Sequence, residues 1–364
     1  MSGVKCTDSM NERPSMYTER EWARIMEKEA AESKKQRHLG IILGLLFLVL
    51  LLMGYSVYYF VFRSHDYVLV HPFEKTDTVY GIRSGLQLSD TAQAFAADLC
   101  VTDQDVNTGA IIIGAEEAAL FNMEGQEVVY AKDIFTPRSP ASMTKVMTAL
   151  VALKYGNLDD IVTVTETALD IEYGSSVCDI KVGDQLSLRQ LLYGLMIASG
   201  NDAAMMIAEH VAGSVEAFVD LMNQEARNLG ATDTHFSNPH GLTAEDHYTT
   251  AYDMYLIFQE AMKNDIFMDI INRQNYYAEY TRGDGSPVAV TWESTNEYFT
   301  GQAQAPDHVL VYGGKTGTTE DAGACLVLLS RDLYGNPYLS VIFHSENHET
   351  LYAEMNQILS LIPN

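Results

Sequence analysis

"PASMTKVMTALVAL", Pro140 to Leu153, sets Ser142 and Lys145 three residues apart at the head of an otherwise apolar run. Residues at i and i+3 share a helix face. A serine at a helix start lies beside free backbone N–H groups, which favour negative charge. A nearby lysine becomes a base for that serine when burial lowers its pKa enough to populate the neutral amine. Alone the spacing says little: Ser2-Gly3-Val4-Lys5 has it too, without meaning, and a serine at 142 could simply cap the helix.

Two further stretches carry the argument outward. Ser199-Gly200-Asn201 breaks an apolar helical run with three small polar residues; by itself it reads as the end of one helix and the start of another. "GGKTGTT", Gly313 to Thr319, ends a strand pattern with a cation and hydroxyls. It is not a phosphate-binding loop, because Val309 stands where G-x-x-x-x-G-K-[ST] requires the first glycine.

Around these motifs the pattern is coarse but readable. "AALFNMEGQEVVYAKD" reads as a hairpin turning at Glu124-Gly125. "LRQLLYGLMIA", "DAAMMIAEHVAG" and "SVEAFVDLMNQEARNLG" read as three helices. "VLVYGGKTG", "GACLVLLSRD" and "PYLSVIFHS" read as strands, and "HETLYAEMNQILSLI" as a closing helix. An early hairpin, a helical middle, late antiparallel strands and a final helix predict an α+β domain whose sheet draws strands from both ends of the sequence.

The formal charge of -26 over 364 residues argues against a nucleic-acid partner. It is unevenly placed: residues 1 to 63 hold 9 Lys/Arg against 7 Asp/Glu, and the remainder 14 against 42. The boundary is the uncharged 24-residue run Leu39 to Phe62, longer than the roughly 20 apolar residues a transmembrane helix needs. Lys34, Lys35 and Arg37 precede it and only Arg63 follows, which predicts a cytoplasmic N-terminus. The run is longer than a signal-peptide core and lacks a small-residue cleavage site, so an uncleaved anchor is expected. Thr18 and Glu21 form a capping box for a short juxtamembrane helix. The organisation expected is a cytoplasmic tail (1–38), an anchor (39–62), a stalk and linker (63–107), with a helix capped by Ser89, and an outer domain (108–364). Cys100, Cys178 and Cys325 lie in the outer part and are expected to be free. No His/carboxylate cluster has metal-ligand spacing, so no metal and no cofactor is expected.

S-x-x-K, then S-x-N, then K-T-G, in that order, form the signature of penicillin-recognising serine enzymes. The sequence resembles the serine D-alanyl-D-alanine carboxypeptidases among the low-molecular-weight penicillin-binding proteins. "PASMTKVMTA", "GSSVCDIKVGDQLSLRQLL", "ASGNDAA", "THFSNPHGL" and "GGKTGTTEDAG" carry the likeness over about residues 108 to 364. It implies a β-lactamase/transpeptidase-like domain: an antiparallel sheet with helices, plus a helical subdomain. It also implies roles. Ser142 would be the acylated nucleophile, Lys145 its base, and Ser199 the proton relay to the leaving amine. Asn201 would hold the substrate amide; Lys315 would supply positive charge near the substrate carboxylate, with Thr316, Gly317 and Thr318 completing the binding strand. The N–H groups of Ser142 and Thr318 would form the oxyanion hole. His240, in "NPHGL", would shape a turn. The implied ligands are a peptidoglycan stem peptide ending in D-Ala-D-Ala and, as covalent inhibitors, β-lactams. The family commonly carries a further β-rich domain and a C-terminal amphipathic helix; here the anchor is expected at the N-terminus instead. Residues 276 to 307 match poorly. A β-lactamase, or a sensor acylated by penicillin, is the alternative; Gly200 where class A β-lactamases have S-D-N speaks against the first.

Overall fold

The computed structural model describes residues 99–106 and 109–364, with isolated positions between 18 and 53. The anchor, the stalk and the helix expected after Ser89 lie outside the described residues. Among the described residues no helix is long and apolar enough to cross a membrane. Between residues 20 and 35 the described positions are helical, as the capping box predicts.

The domain is built on a five-stranded antiparallel sheet of order β2-β1-β9-β8-β7. Its first hairpin, β1 (Glu117–Asn122) and β2 (Glu127–Lys132), comes early in the chain. Its other strands, β7 (Leu310–Thr319), β8 (Gly323–Arg331) and β9 (Pro337–Ser345), come last, and β9 pairs with β1. The sheet therefore draws on both ends of the domain, as expected. Strand β8 reads as one apolar run because both of its faces are covered. Cys325, Val327 and Leu329 join the larger core, whereas Ala324, Leu326 and Leu328 face a smaller one completed by Leu351, Met355 and Ile358 of the closing helix.

The larger core holds the helical body. Its helices are α1 (Lys145–Tyr155), α2 (Leu188–Ile197), α3 (Asn201–Ala212), α4 (Val215–Asn228), α5 (Ala251–Ala261) and α6 (Asp265–Ile271). α7 (Glu297–Thr300) is a single turn, and α8 (His348–Leu359) closes the chain. The sequence reading missed a second sheet, β3-β4-β5-β6, made of β3 (Ile161–Thr163), β4 (Gln185–Ser187), β5 (Asn275–Thr281) and β6 (Pro287–Glu293). Residues 99–106, placed in the linker on sequence, lie against the domain. Cys100 is buried, its N–H donates to Tyr255 Oη at 2.8 Å, and Tyr252 Oη donates to its carbonyl. Cys100, Cys178 and Cys325 are all buried free thiols.

Candidate active site

Three segments far apart in sequence meet at Ser142. A 3-10 turn, Ala141–Thr144, leads directly into α1. Side chains at i and i+3 eclipse in 3-10 geometry, which places Lys145 above Ser142. The turn starts with Ala141 at φ +46, a conformation costing on the order of 1–3 kcal/mol that survives only where its surroundings enforce it. Gly241 does part of that enforcing. It sits at φ +89, and a Cβ there would come within 1.9 Å of Ala141 O.

Lys145 is completely buried, and its Nζ has three neighbours: Ser142 Oγ at 2.8 Å, Asn201 Oδ1 at 2.7 Å and His240 O at 2.7 Å. Two of these are carbonyl oxygens, which only accept. They take two N–H bonds. A neutral amine then has its lone pair left for the hydroxyl proton of Ser142. The electrostatics agree: burial first, and the charge on Lys315 second, hold Lys145 well below the ordinary lysine range.

Across the cleft, Lys315 Nζ donates to Ser199 Oγ at 3.0 Å and to Thr316 O at 2.8 Å. Burial lowers its pKa to about 7. Lys315 is 1% exposed, its charge held inside the cleft against Ser199. Ser199 lies between α2 and α3 with φ +57, the second non-glycine residue of the site held in the left-handed region. Asn201 opens α3, and its Oδ1 is committed to Lys145. Thr316 Oγ1 bonds Thr295 Oγ1 at 2.5 Å, and Thr318 Oγ1 lies 3.0 Å from His348 Nε2. Gly317 lets β7 approach the nucleophile: a Cβ there would lie 3.0 Å from both Ser142 N and Pro140 O. The structure thus brings Ser142, Lys145, Ser199, Asn201, Lys315, Thr316, Gly317 and Thr318 to one cleft. Beside Thr318 it opens into a cavity of about 670 Å³, walled by Glu172 to Ser175 and by Leu242 and Thr243.

Some supporting groups were invisible to motif reading. His240 shapes its turn, accepting from Leu242 N–H through Nδ1, but its main-chain carbonyl also orients Lys145. Burial, then the charge of Lys145, lowers the His240 pKa to about 3. Ser237 N–H donates to His247 Nδ1, so the ring proton sits on Nε2 and points to Thr144 Oγ1 at 2.8 Å. Burial lowers the pKa of His247 to about 4, so it stays neutral. Thr295 belongs to the stretch that matched poorly, and no local pattern marks it.

A Ser–Lys pair at a helix start, faced by a second Ser–Lys contact reaching from a sheet edge, is an arrangement that could activate a serine without a histidine base. The family described as D-alanyl-D-alanine carboxypeptidase matches residues 104–347, and the chain belongs to that family. It is 32% identical over 274 residues to the D-alanyl-D-alanine carboxypeptidase DacF of Bacillus subtilis, covering 73% of this chain and 66% of that one. It is 36% identical over 210 residues to a D-alanyl-D-alanine carboxypeptidase of Streptomyces sp. strain K15, covering 55% and 70%. The chain spans just under two thirds of the length of the Bacillus relative. Among solved structures, the Streptomyces K15 DD-transpeptidase superposes with a TM-score of 0.64 at 31% identity, over 69% of this chain and 97% of that one.

Proposed function

We propose that the protein is a serine D,D-carboxypeptidase that removes the terminal D-alanine from peptidoglycan stem peptides through an acyl-enzyme on Ser142. The observation carrying this is the 2.8 Å contact between Lys145 Nζ and Ser142 Oγ, with both other Nζ positions spent on carbonyl oxygens. Lys145 takes the hydroxyl proton as Oγ attacks the carbonyl carbon of the penultimate D-alanine. The N–H groups of Ser142 and Thr318 receive the tetrahedral oxygen. Ser199, backed by Lys315, passes a proton to the departing amine, and the C–N bond breaks. Water then attacks the ester and frees Ser142. Strand β7 is an edge of its sheet, which suits pairing with an extended peptide. β-Lactams would acylate the same oxygen.

The test is release of D-alanine from a peptide ending in D-Ala-D-Ala. The wild-type protein should release it and Ser142→Ala should not; release by both would refute the reading. Because the similar structure from Streptomyces K15 is that of a DD-transpeptidase, the assay should include an acceptor amine. A product joined to that amine would mark transfer, not hydrolysis, as the main fate of the acyl-enzyme.

We further propose that residues 39–62 anchor the protein in the cell membrane as a single pass, with the tail cytoplasmic and residues 108–364 outside. The uncharged run and the Lys34, Lys35, Arg37 cluster support this. External protease should digest the domain in intact spheroplasts and spare the tail; the reverse pattern would invert the topology.

A further inference from the structure

Asp202, immediately after the S-x-N motif, is a buried acid that the reaction above does not use. Its Oδ1 accepts from Cys178 N–H and Ala203 N–H, both at 2.8 Å, and its Oδ2 accepts from Ile180 N–H at 3.3 Å. The bonds to residues 178 and 180 reach well outside α3, so this is not a helix cap. They tie α3 to a strap, residues 172–181, whose Glu172–Ser175 end walls the cleft. The strap is stitched at two more points. Asn201 N–H donates to Ser176 O at 2.8 Å, and Trp292 Nε1 donates to Cys178 O at 3.3 Å.

We propose that Asp202 is a positioning residue for acyl transfer, clamping this strap to the first turn of α3 and so fixing Asn201 against Lys145. A carboxylate suits the task because it only accepts: Cys178, Ile180 and Ala203 donate backbone N–H groups to it, and the Cys178 side chain hydrogen-bonds to it as well. Asparagine would turn an NH2 group toward one of those donors. Burial raises the pKa of Asp202, and its negative charge in turn raises that of Lys145. The other groups that act on Lys145 are Lys315 and the Cys178 thiol, which burial keeps protonated, while His240 and His247 are neutral. On the strap, Lys181 is paired with Asp179, and its N–H donates to Asp184.

This inference rests on the acyl-enzyme reading, and the experiment separates the two. Acylation of the full chain by a fluorescent penicillin is followed across pH for the wild type and Asp202→Asn, with circular dichroism to confirm folding. Asp202→Asn should acylate at least about tenfold more slowly. Losing the anion lowers the pKa of Lys145, so the limb that rises with pH should move to lower pH, by up to about one unit. A wild-type rate with an unmoved limb overturns the inference, as does a slower rate with an unmoved limb, which would reduce Asp202 to structural support. Should Asp202→Asn fail to fold, Trp292→Phe releases the strap through Cys178 O without changing charge. It should slow acylation several-fold, and an unchanged rate would likewise overturn the inference. A wild-type protein that never labels sinks the acyl-enzyme reading instead.

Discussion

Lys145→Arg should acylate roughly 10³-fold more slowly than the wild type, the range expected for loss of a general base. A guanidinium cannot deprotonate in this pH range, so it has no lone pair to offer the Ser142 hydroxyl. Lys315→Arg should lose much less, because Lys315 acts as a donor to Ser199 Oγ, which a guanidinium can also do. The wild-type rate should rise with pH. The protonated pair has no base, and raising pH removes a proton from two buried ammonium groups that repel each other. The apparent pKa belongs to the coupled pair and not to either lysine. Stopped-flow acylation of the three proteins by one penicillin across pH gives all of these values. Equal rates for the two arginine variants would mean that some other group takes the proton.

Gly241→Ala should damage both the fold and the site. The added methyl would stand 1.9 Å from Ala141 O and 2.5 Å from Ala141 C, with the backbone at φ +89. Left-handed strain and overpacking together cost about 3 kcal/mol or more. For a domain of this size that lowers the melting temperature by on the order of 10 °C. The damage is also functional. The turn carrying Gly241 carries the His240 carbonyl that orients Lys145, and the turn it would push against carries Ser142. Thermal melting and penicillin labelling of Gly241→Ala should therefore fall together. Unchanged melting would show that the two turns can separate without loss.

The catalytic motifs were legible because each packs its chemistry into three or four consecutive residues. Ser142 with Lys145, Ser199 with Asn201, and Lys315 to Thr318 need no long-range information to be noticed. The five-stranded sheet was legible for a related reason, since β1, β8 and β9 are apolar enough to mark themselves. The second sheet was not. Strands β3 and β4 are three residues each, too short to show a period, and β5 and β6 leave most of their side chains at least partly exposed. What holds the site in shape was also hidden. The His240 contribution is a main-chain oxygen, which no residue type announces. Thr295 and the strap tied by Asp202 become partners of the motifs only once the chain has folded. The burial of Lys315 was hidden too, since its hydrogen-bond partner Ser199 lies 116 residues earlier in the chain.

The most direct test is to locate the covalent adduct. After a brief incubation of the full chain with a penicillin, proteolysis and tandem mass spectrometry should place one penicilloyl group on Ser142. Ser199, bonded to Lys315, should carry none. An adduct on Ser199, or labelling that persists in Ser142→Ala, would contradict the assignment of nucleophile and base made here.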